Sequence, residues 1–264
     1  MPIGDFESEV LRVLAAHRHP DSFVGGATVL HAATDSWRFS QDFDLFHDAE
    51  AALALACDTD SAALRDAGFA VQASGPSGPT FRRAIVSRGE AHTKIEWVLD
   101  SAFRFFPVEP DLHLGWRLSF WDAATNKVLA MTGRQKVRDF LDCLYLHQRH
   151  LHLGALVWAA AGKDPGLSPE FILDWVVRGN HFRPVDLAEV RLGQALDLRT
   201  TKAAWLAAVA EARSLVAQLP PAELGCLYLD AVGRPVTPDP AAAKFAALRR
   251  HFGRLGGAVA QVVA

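Results

Sequence analysis

Asp42 and Asp44 stand two residues apart in R-F-S-Q-D-F-D-L-F, where Phe43 and Leu45 alternate with them. On a β-strand, residues i and i+2 share a face, so the two carboxylates converge while the apolar pair points into a core. Ionised carboxylates side by side repel unless a cation sits between them. Hard oxygen ligands in this arrangement suit Mg²⁺, which commonly takes one or two carboxylates together with substrate phosphates. A bare D-x-D is also the ordinary end of a solvated strand, so its company decides its meaning.

That company begins upstream. Gly25-Gly26 falls between a short apolar strand, Phe23-Val24, and a helix start over 27–33. Glycines there let the backbone approach a phosphate, whose charge meets the N–H groups at the helix N-terminus. No GK[ST] follows, so the turn is not a P-loop. Ser40, two residues before Asp42, offers a hydroxyl to the same phosphates. Downstream, Lys94-Ile95-Glu96-Trp97-Val98 alternates again. Its Glu96 is the candidate third carboxylate, as metal ligand or as acceptor of an attacking hydroxyl's proton, with Asp100 as the substitute.

A second dense block runs over 126–142. On one continuous helix, Lys127, Arg134, Arg138 and Asp142 would fall within about 80° of one another, with Phe140 and Leu144 opposite; Gly133 is the point at which that helix would break. From the residues alone this stripe reads as a solvated face laced with ion pairs. The competing reading is a triphosphate clamp in which the acid orients the lysine.

The elements that must position these groups follow from periodicity. Apolar spacing predicts helices over 6–17 and 49–67, and strands over 69–71, 81–87 and 92–99, with a Gly/Pro turn over 74–79. Beyond Trp121 the pattern is helical, broken by Gly and Pro, with no strand set. The expected division is an α/β part over 1–120 and a helical part over 121–264. With 264 residues, 50% hydrophobic and 22% charged, the composition is that of a globular protein and excludes wholesale disorder. A net charge of −3 excludes coating of nucleic acid by bulk charge. A local patch such as Arg249-Arg250-His251-Phe252-Gly253-Arg254 reads as a solvated basic helix end or as an RNA contact.

Cys57, Cys143 and Cys226 are isolated, which predicts buried thiols rather than a disulfide framework or zinc site. His147, His150 and His152 do not share one helical face and read as a solvated helix end. No apolar stretch is long enough to span a bilayer, and MPIGDFESEV carries acids where a signal peptide needs a basic start. A cytoplasmic location without a membrane partner is expected.

Taken in order, Gly-Gly, R-x-S-x-D-x-D-L-F, an acidic strand residue and N-K-x-x-A-x-x-x-R-x-x-x-R-D-x-x-D resemble the AbiEii/AbiGii toxin family within the polymerase-β-like nucleotidyltransferase superfamily. The resemblance runs over about 23–146. It implies an α+β fold, a nucleotidyltransferase-like mixed sheet with flanking helices followed by a helical C-terminal domain, and an NTP with Mg²⁺ as cosubstrate. It matches Asp42 and Asp44 to the metal-binding pair, Ser40 to the small hydroxyl of that motif, and Gly25 and Gly26 to the phosphate-side turn. Lys127 and Asp142 match the family's lysine and distal acid, with Arg134 or Arg138 assisting. Glu96 stands where many superfamily members place Asp. The implied acceptor is RNA, tRNA 3′ ends being the precedent, or a protein, and a cognate antitoxin is the implied partner. A small hydroxylated molecule as acceptor, or a non-catalytic nucleotide-binding module, are the alternatives.

Overall fold

A computed structural model describes residues 4–32, 36–40, 42–178, 181–188, 190–193 and 195–260. Ala33 and Gln41, which belong to the helix start and acid motif above, lie outside these residues. Of the described residues, those up to Ala102, with Val108–Ala123 and Arg191–Gly193, form one compact unit; Phe103–Pro107 and the other described residues form a second.

Helix α1 (Asp5–Ala15) opens with acids in its first turn and buries Val10, Leu11 and Leu14. Then come β1 (Phe23–Val24), α2 (Gly26–Leu30), β2 (Asp42–His47), α3 (Glu50–Asp66), β3 (Ala70–Ala73), β4 (Phe81–Arg88) and β5 (Ala91–Leu99). After β6 (Phe103–Arg104), which belongs to the second unit, β7 (Glu109–Asp111) and β8 (Gly115–Arg117) complete the first unit's strands. They form a mixed seven-stranded sheet in the order β3-β4-β5-β2-β1-β8-β7. β2 runs parallel to β5 and antiparallel to β1. The strands expected over 69–71, 81–87 and 92–99 are β3, β4 and β5. β7 and β8 escape the periodicity because each is three residues long and β7 contains Pro110.

One sheet face is sealed by α1 and α3 over Phe43, Leu45, Ile95 and Trp97. A polar network is buried with them. Asp60 of α3 pairs with Arg18 and accepts the Trp97 indole N–H at 2.8 Å. Arg18 also donates to Ser22 Oγ at 2.7 Å, and that hydroxyl meets His47 Nε2 at 2.9 Å. Burial first, then the charge of Arg18, push the His47 imidazole down to about 4.

The second unit takes in the end of α4 (Phe120–Gly133), then α5 (Val137–Arg149), α6 (Leu153–Ala161), α7 (Pro169–Arg178), α8 (Pro184–Leu187) and α9 (Leu198–Val216). Every residue of α6 is buried, and α5, α7 and α9 pack around it. A continuous helix through 127–142 does not form. α4 ends at Gly133, and Lys136 is extended before α5 begins.

The reading of 122–264 as lacking strands is corrected by β9 (Cys226–Leu229), β10 (Arg249–Phe252) and β11 (Arg254–Leu255). β10 pairs with β9, and β11 pairs with β6. The basic run 249–254 is therefore strand, not a helix end. C-L-Y-L is continuously apolar, a pattern that short buried strands share with buried helical segments.

Of the three histidines His150 is exposed, as a solvated helix end predicts, whereas His147 and His152 are held within the unit. His147 Nδ1 accepts the Leu153 N–H at 3.0 Å and His152 Nδ1 accepts the Gly154 N–H at 3.1 Å. Their Nε2 atoms lie 3.7 and 3.6 Å from Glu211 of α9. The three cysteines are free thiols, with Cys143 and Cys226 buried. Among the described residues, no helix is long and apolar enough to cross a membrane.

Candidate active site

Strand alternation places Asp42, Asp44 and Phe46 on the face of β2 opposite the sealed core, while Phe43, Leu45 and His47 are buried. The parallel register sets Asp42 against Lys94 and Asp44 against Glu96, so four charged residues of two strands share one partly open face. Lys94 Nζ lies 2.9 Å from Asp42 Oδ2 and 3.2 Å from Glu96 Oε1. Arg83 of β4, registered opposite Glu96, reaches the same carboxylate at 2.8 Å. An unbroken row of alternating charge, Arg83–Glu96–Lys94–Asp42, thus crosses three strands and relieves the repulsion among the acids.

The glycine turn lies directly over this face. Gly25 donates its N–H to the Asp44 carbonyl at 2.9 Å and is the residue before α2, whose start has no side-chain cap. Gly26 has φ +60°, and a Cβ there would sit 2.0 Å from Asp44 Oδ2. A Cβ on Gly25 would meet the Phe46 ring at 2.2 Å. Both glycines are required by the close passage of the chain over β2, and the left-handed backbone at Gly26 reinforces the requirement. Ser40 is buried. Its hydroxyl donates to the Asp42 carbonyl at 3.0 Å and meets Thr28 Oγ1 at 3.1 Å, so in this structure it braces the start of β2.

The carboxylate pair fits a divalent cation. Asp42 and Asp44 present oxygens from one strand face, and the missing Cβ of Gly26 leaves room beside Asp44 Oδ2. Among the described residues no group of three or more His, Cys, Asp or Glu is arranged to hold a metal. A cation held by two carboxylates would complete its shell with substrate phosphates and water, as Mg²⁺ commonly does. Glu96 is engaged by Lys94 and Arg83 rather than gathered with the acid pair. Asp100 lies beyond the end of β5, its N–H bonded to the His47 carbonyl, four residues past the register position of Asp44.

The second unit gathers the other motif. Lys127 of α4 is almost sealed, with Nζ 2.7 Å from Asp139 Oδ1 and 3.1 Å from Asp142 Oδ2 of α5. Arg134 Nε donates to Asp139 Oδ2 at 2.8 Å. Burial alone would raise the Asp139 carboxyl, but Lys127 and Arg134 outweigh it and hold the group below the ordinary carboxylate range. The break after Gly133 makes this closure possible, because on one continuous helix Asp139 would stand twelve residues along the axis from Lys127 and out of its reach. Arg138 is partly buried on α5. Phe140 and Leu144 are buried, as their apolar character predicts, but so are the acids, so α5 has no solvated charge stripe.

Three contributors were not assigned from sequence: Lys94, Arg83 and Asp139. Lys94 precedes Glu96 by two residues and therefore shares its face, and Asp139 precedes Asp142 by one helical turn. Those spacings were the available signal.

Comparison with solved structures gives the fold first. MenT4, a nucleotidyltransferase toxin from Mycobacterium tuberculosis H37Rv, superposes with a TM-score of 0.52 at 16% identity, covering 82% of this chain and 83% of that one. A candidate nucleotidyltransferase from H. pylori superposes with a TM-score of 0.50 at 16% identity, covering 80% and 93%. At that identity the likeness is one of fold. No curated protein matches the sequence. Residues 10–218 match the family described as nucleotidyl transferase AbiEii toxin, type IV TA system, and the chain belongs to that family. It is thus a nucleotidyltransferase of the toxin–antitoxin kind.

Proposed function

We propose that the protein transfers a nucleoside monophosphate from an NTP to an acceptor hydroxyl in an Mg²⁺-dependent reaction that releases pyrophosphate. The observation that carries this reading is the laying of Gly26 against the Asp42–Asp44 face, which leaves carboxylate oxygens and backbone together at one approach. In the reaction a bond forms between the acceptor oxygen and the α-phosphorus as the hydroxyl gives up its proton to water. The bond from that phosphorus to the bridging oxygen breaks, and its electron pair leaves with pyrophosphate.

Asp42 and Asp44 would hold the Mg²⁺, which when bound supplies charge neutralisation at the attacking and leaving oxygens. Lys94 holds Asp42 in place, and Arg83 restrains Glu96. The Gly25-Gly26 turn gives phosphate oxygens access to backbone N–H groups. Lys127 would hold the β- and γ-phosphates, with Asp139 and Asp142 orienting its ammonium and Arg134 or Arg138 assisting. Positioning and electrostatics supply the acceleration in such chemistry. The acceptor is RNA, of which tRNA is the leading case, or a protein, and a cognate antitoxin is the expected partner.

Incubation of the protein and Mg²⁺ with each labelled NTP, total RNA and lysate protein tests this. One NTP should release pyrophosphate and label the RNA or protein fraction. Asp44→Ala should lower that rate by about a thousandfold or more while leaving the far-ultraviolet circular dichroism unchanged. Label incorporation that survives Asp44→Ala refutes the assignment.

A further inference from the structure

Residues 219–260 lie beyond the family-matched span, yet they build a cavity of about 280 Å³. Arg249, Arg250, His251 and Arg254 line it together with Leu229, Ala258, Val259 and Ala260, and no acidic residue is among the described residues lining it. The four basic side chains are not equivalent. Arg250 is spent on architecture: its Nε donates to Glu223 at 2.9 Å and its Nη1 donates to main-chain carbonyls of the 245–248 turn. His251 donates its Nε2–H to the Phe105 carbonyl, 2.8 Å away, and stacks on Phe106.

Arg249 and Arg254 differ from these. Neither has a carboxylate within ion-pair distance among the described residues. Arg254 is exposed and donates Nε to the Gly257 carbonyl at 2.9 Å. Arg249 reaches the Asp230 carbonyl through Nη2 at 3.4 Å, while its Nε is buried without a hydrogen-bond partner among the described residues. A buried orphan donor on a guanidinium is costly unless something accepts from it. Two guanidinium groups without a carboxylate partner line one concave, acid-free surface, which suits the oxygens of a phosphate, a group arginine binds through paired N–H groups. In a chain whose net charge is −3, this concentration of positive charge is local rather than general.

We propose that this cavity binds phosphate esters, either those of a free nucleotide or those of an RNA backbone. The inference does not rest on the transfer reaction, and its test uses no catalysis. Binding of a labelled single-stranded RNA to the full-length protein is followed by fluorescence anisotropy, without NTP or Mg²⁺, over a range of salt concentrations. Arg249→Gln and Arg254→Gln should each weaken binding by about fivefold or more and lower the salt slope by about one. Arg12→Gln, an exposed cation on α1, should change neither. Arg254 is exposed, so its variant carries the test even if Arg249→Gln fails to fold. Displacement of the RNA by inorganic pyrophosphate that is weakened in Arg254→Gln assigns the cavity to free phosphate groups, and resistance to displacement assigns it to the polynucleotide backbone. The proposal is overturned if the wild type binds neither RNA nor pyrophosphate, or if Arg254→Gln loses no more affinity than Arg12→Gln.

Discussion

The carboxylates on β2 and the carboxylates on α5 live in opposite surroundings. The side chain of Asp42 is 21% exposed and its cation, Lys94, 24% exposed. Asp139 and Asp142 are fully buried at their side chains, and Lys127 between them is 6% exposed. A partly solvated ion pair is weak and can be exchanged for another cation or an incoming anion. A sealed one is bound to the fold, because removing one partner leaves an uncompensated buried charge. The same residue types thus give a responsive face in one unit and a fixed clamp in the other, and burial is what separates them.

This contrast can be broken most forcefully at Asp139. Asp139→Ala should destabilise the protein by about 3–5 kcal/mol, read as a lowered midpoint in urea. Asp44→Ala should shift that midpoint little, since its carboxylate faces the open side. Equal destabilisation by the two variants would erase the distinction.

The underside of β2 sharpens it. His47 titrates at about 4 in the folded protein against 6.5 in the unfolded chain, so between those values only the unfolded chain binds the proton. Stability should therefore fall as pH drops from 6.5 toward 4, by on the order of 3 kcal/mol from this group. His47→Gln should flatten that slope, and an unchanged pH profile would show that the buried imidazole is not its source. Asp139 acts lower on the scale. Its folded pKa is depressed, so its contribution is present above the ordinary carboxylate range and lost as pH falls through the lowered value.

A smaller loss of stability than at Asp139 or His47 is expected at the turn. Gly26→Ala imposes a side chain at φ +60°, which costs about 1–2 kcal/mol, and drives its methyl against Asp44. Transfer should fall by more than this loss of stability explains. A variant that is destabilised yet fully active would separate the turn from the chemistry.

Much of the first unit was legible because its strands alternate cleanly. D-F-D-L-F and K-I-E-W-V declare a polar and an apolar side, and Gly25-Gly26 marks the turn between β1 and α2. What alternation does not encode is which strands become neighbours. The parallel pairing of β2 with β5 spans α3, β3 and β4, so the ammonium of Lys94 between Asp42 and Glu96 follows from a tertiary register. In the second unit the difficulty was the break at 133–137. A continuous helix would have aligned Lys127, Arg134, Arg138 and Asp142 along one side, whereas the break brings Asp139 and Asp142 to Lys127 and buries them. The strands β9 to β11 were hidden for a simpler reason: two to four residues are too few for a period to show.

The pairing of β11 with β6 ties the end of the described chain to a segment more than a hundred positions earlier, alongside the fully buried Phe105. Truncation at the boundary of the family-matched span would strip away that covering strand together with β9 and β10. The shortened protein would be left with a raw backbone edge beside bared aromatic rings, a seed for self-association and precipitation.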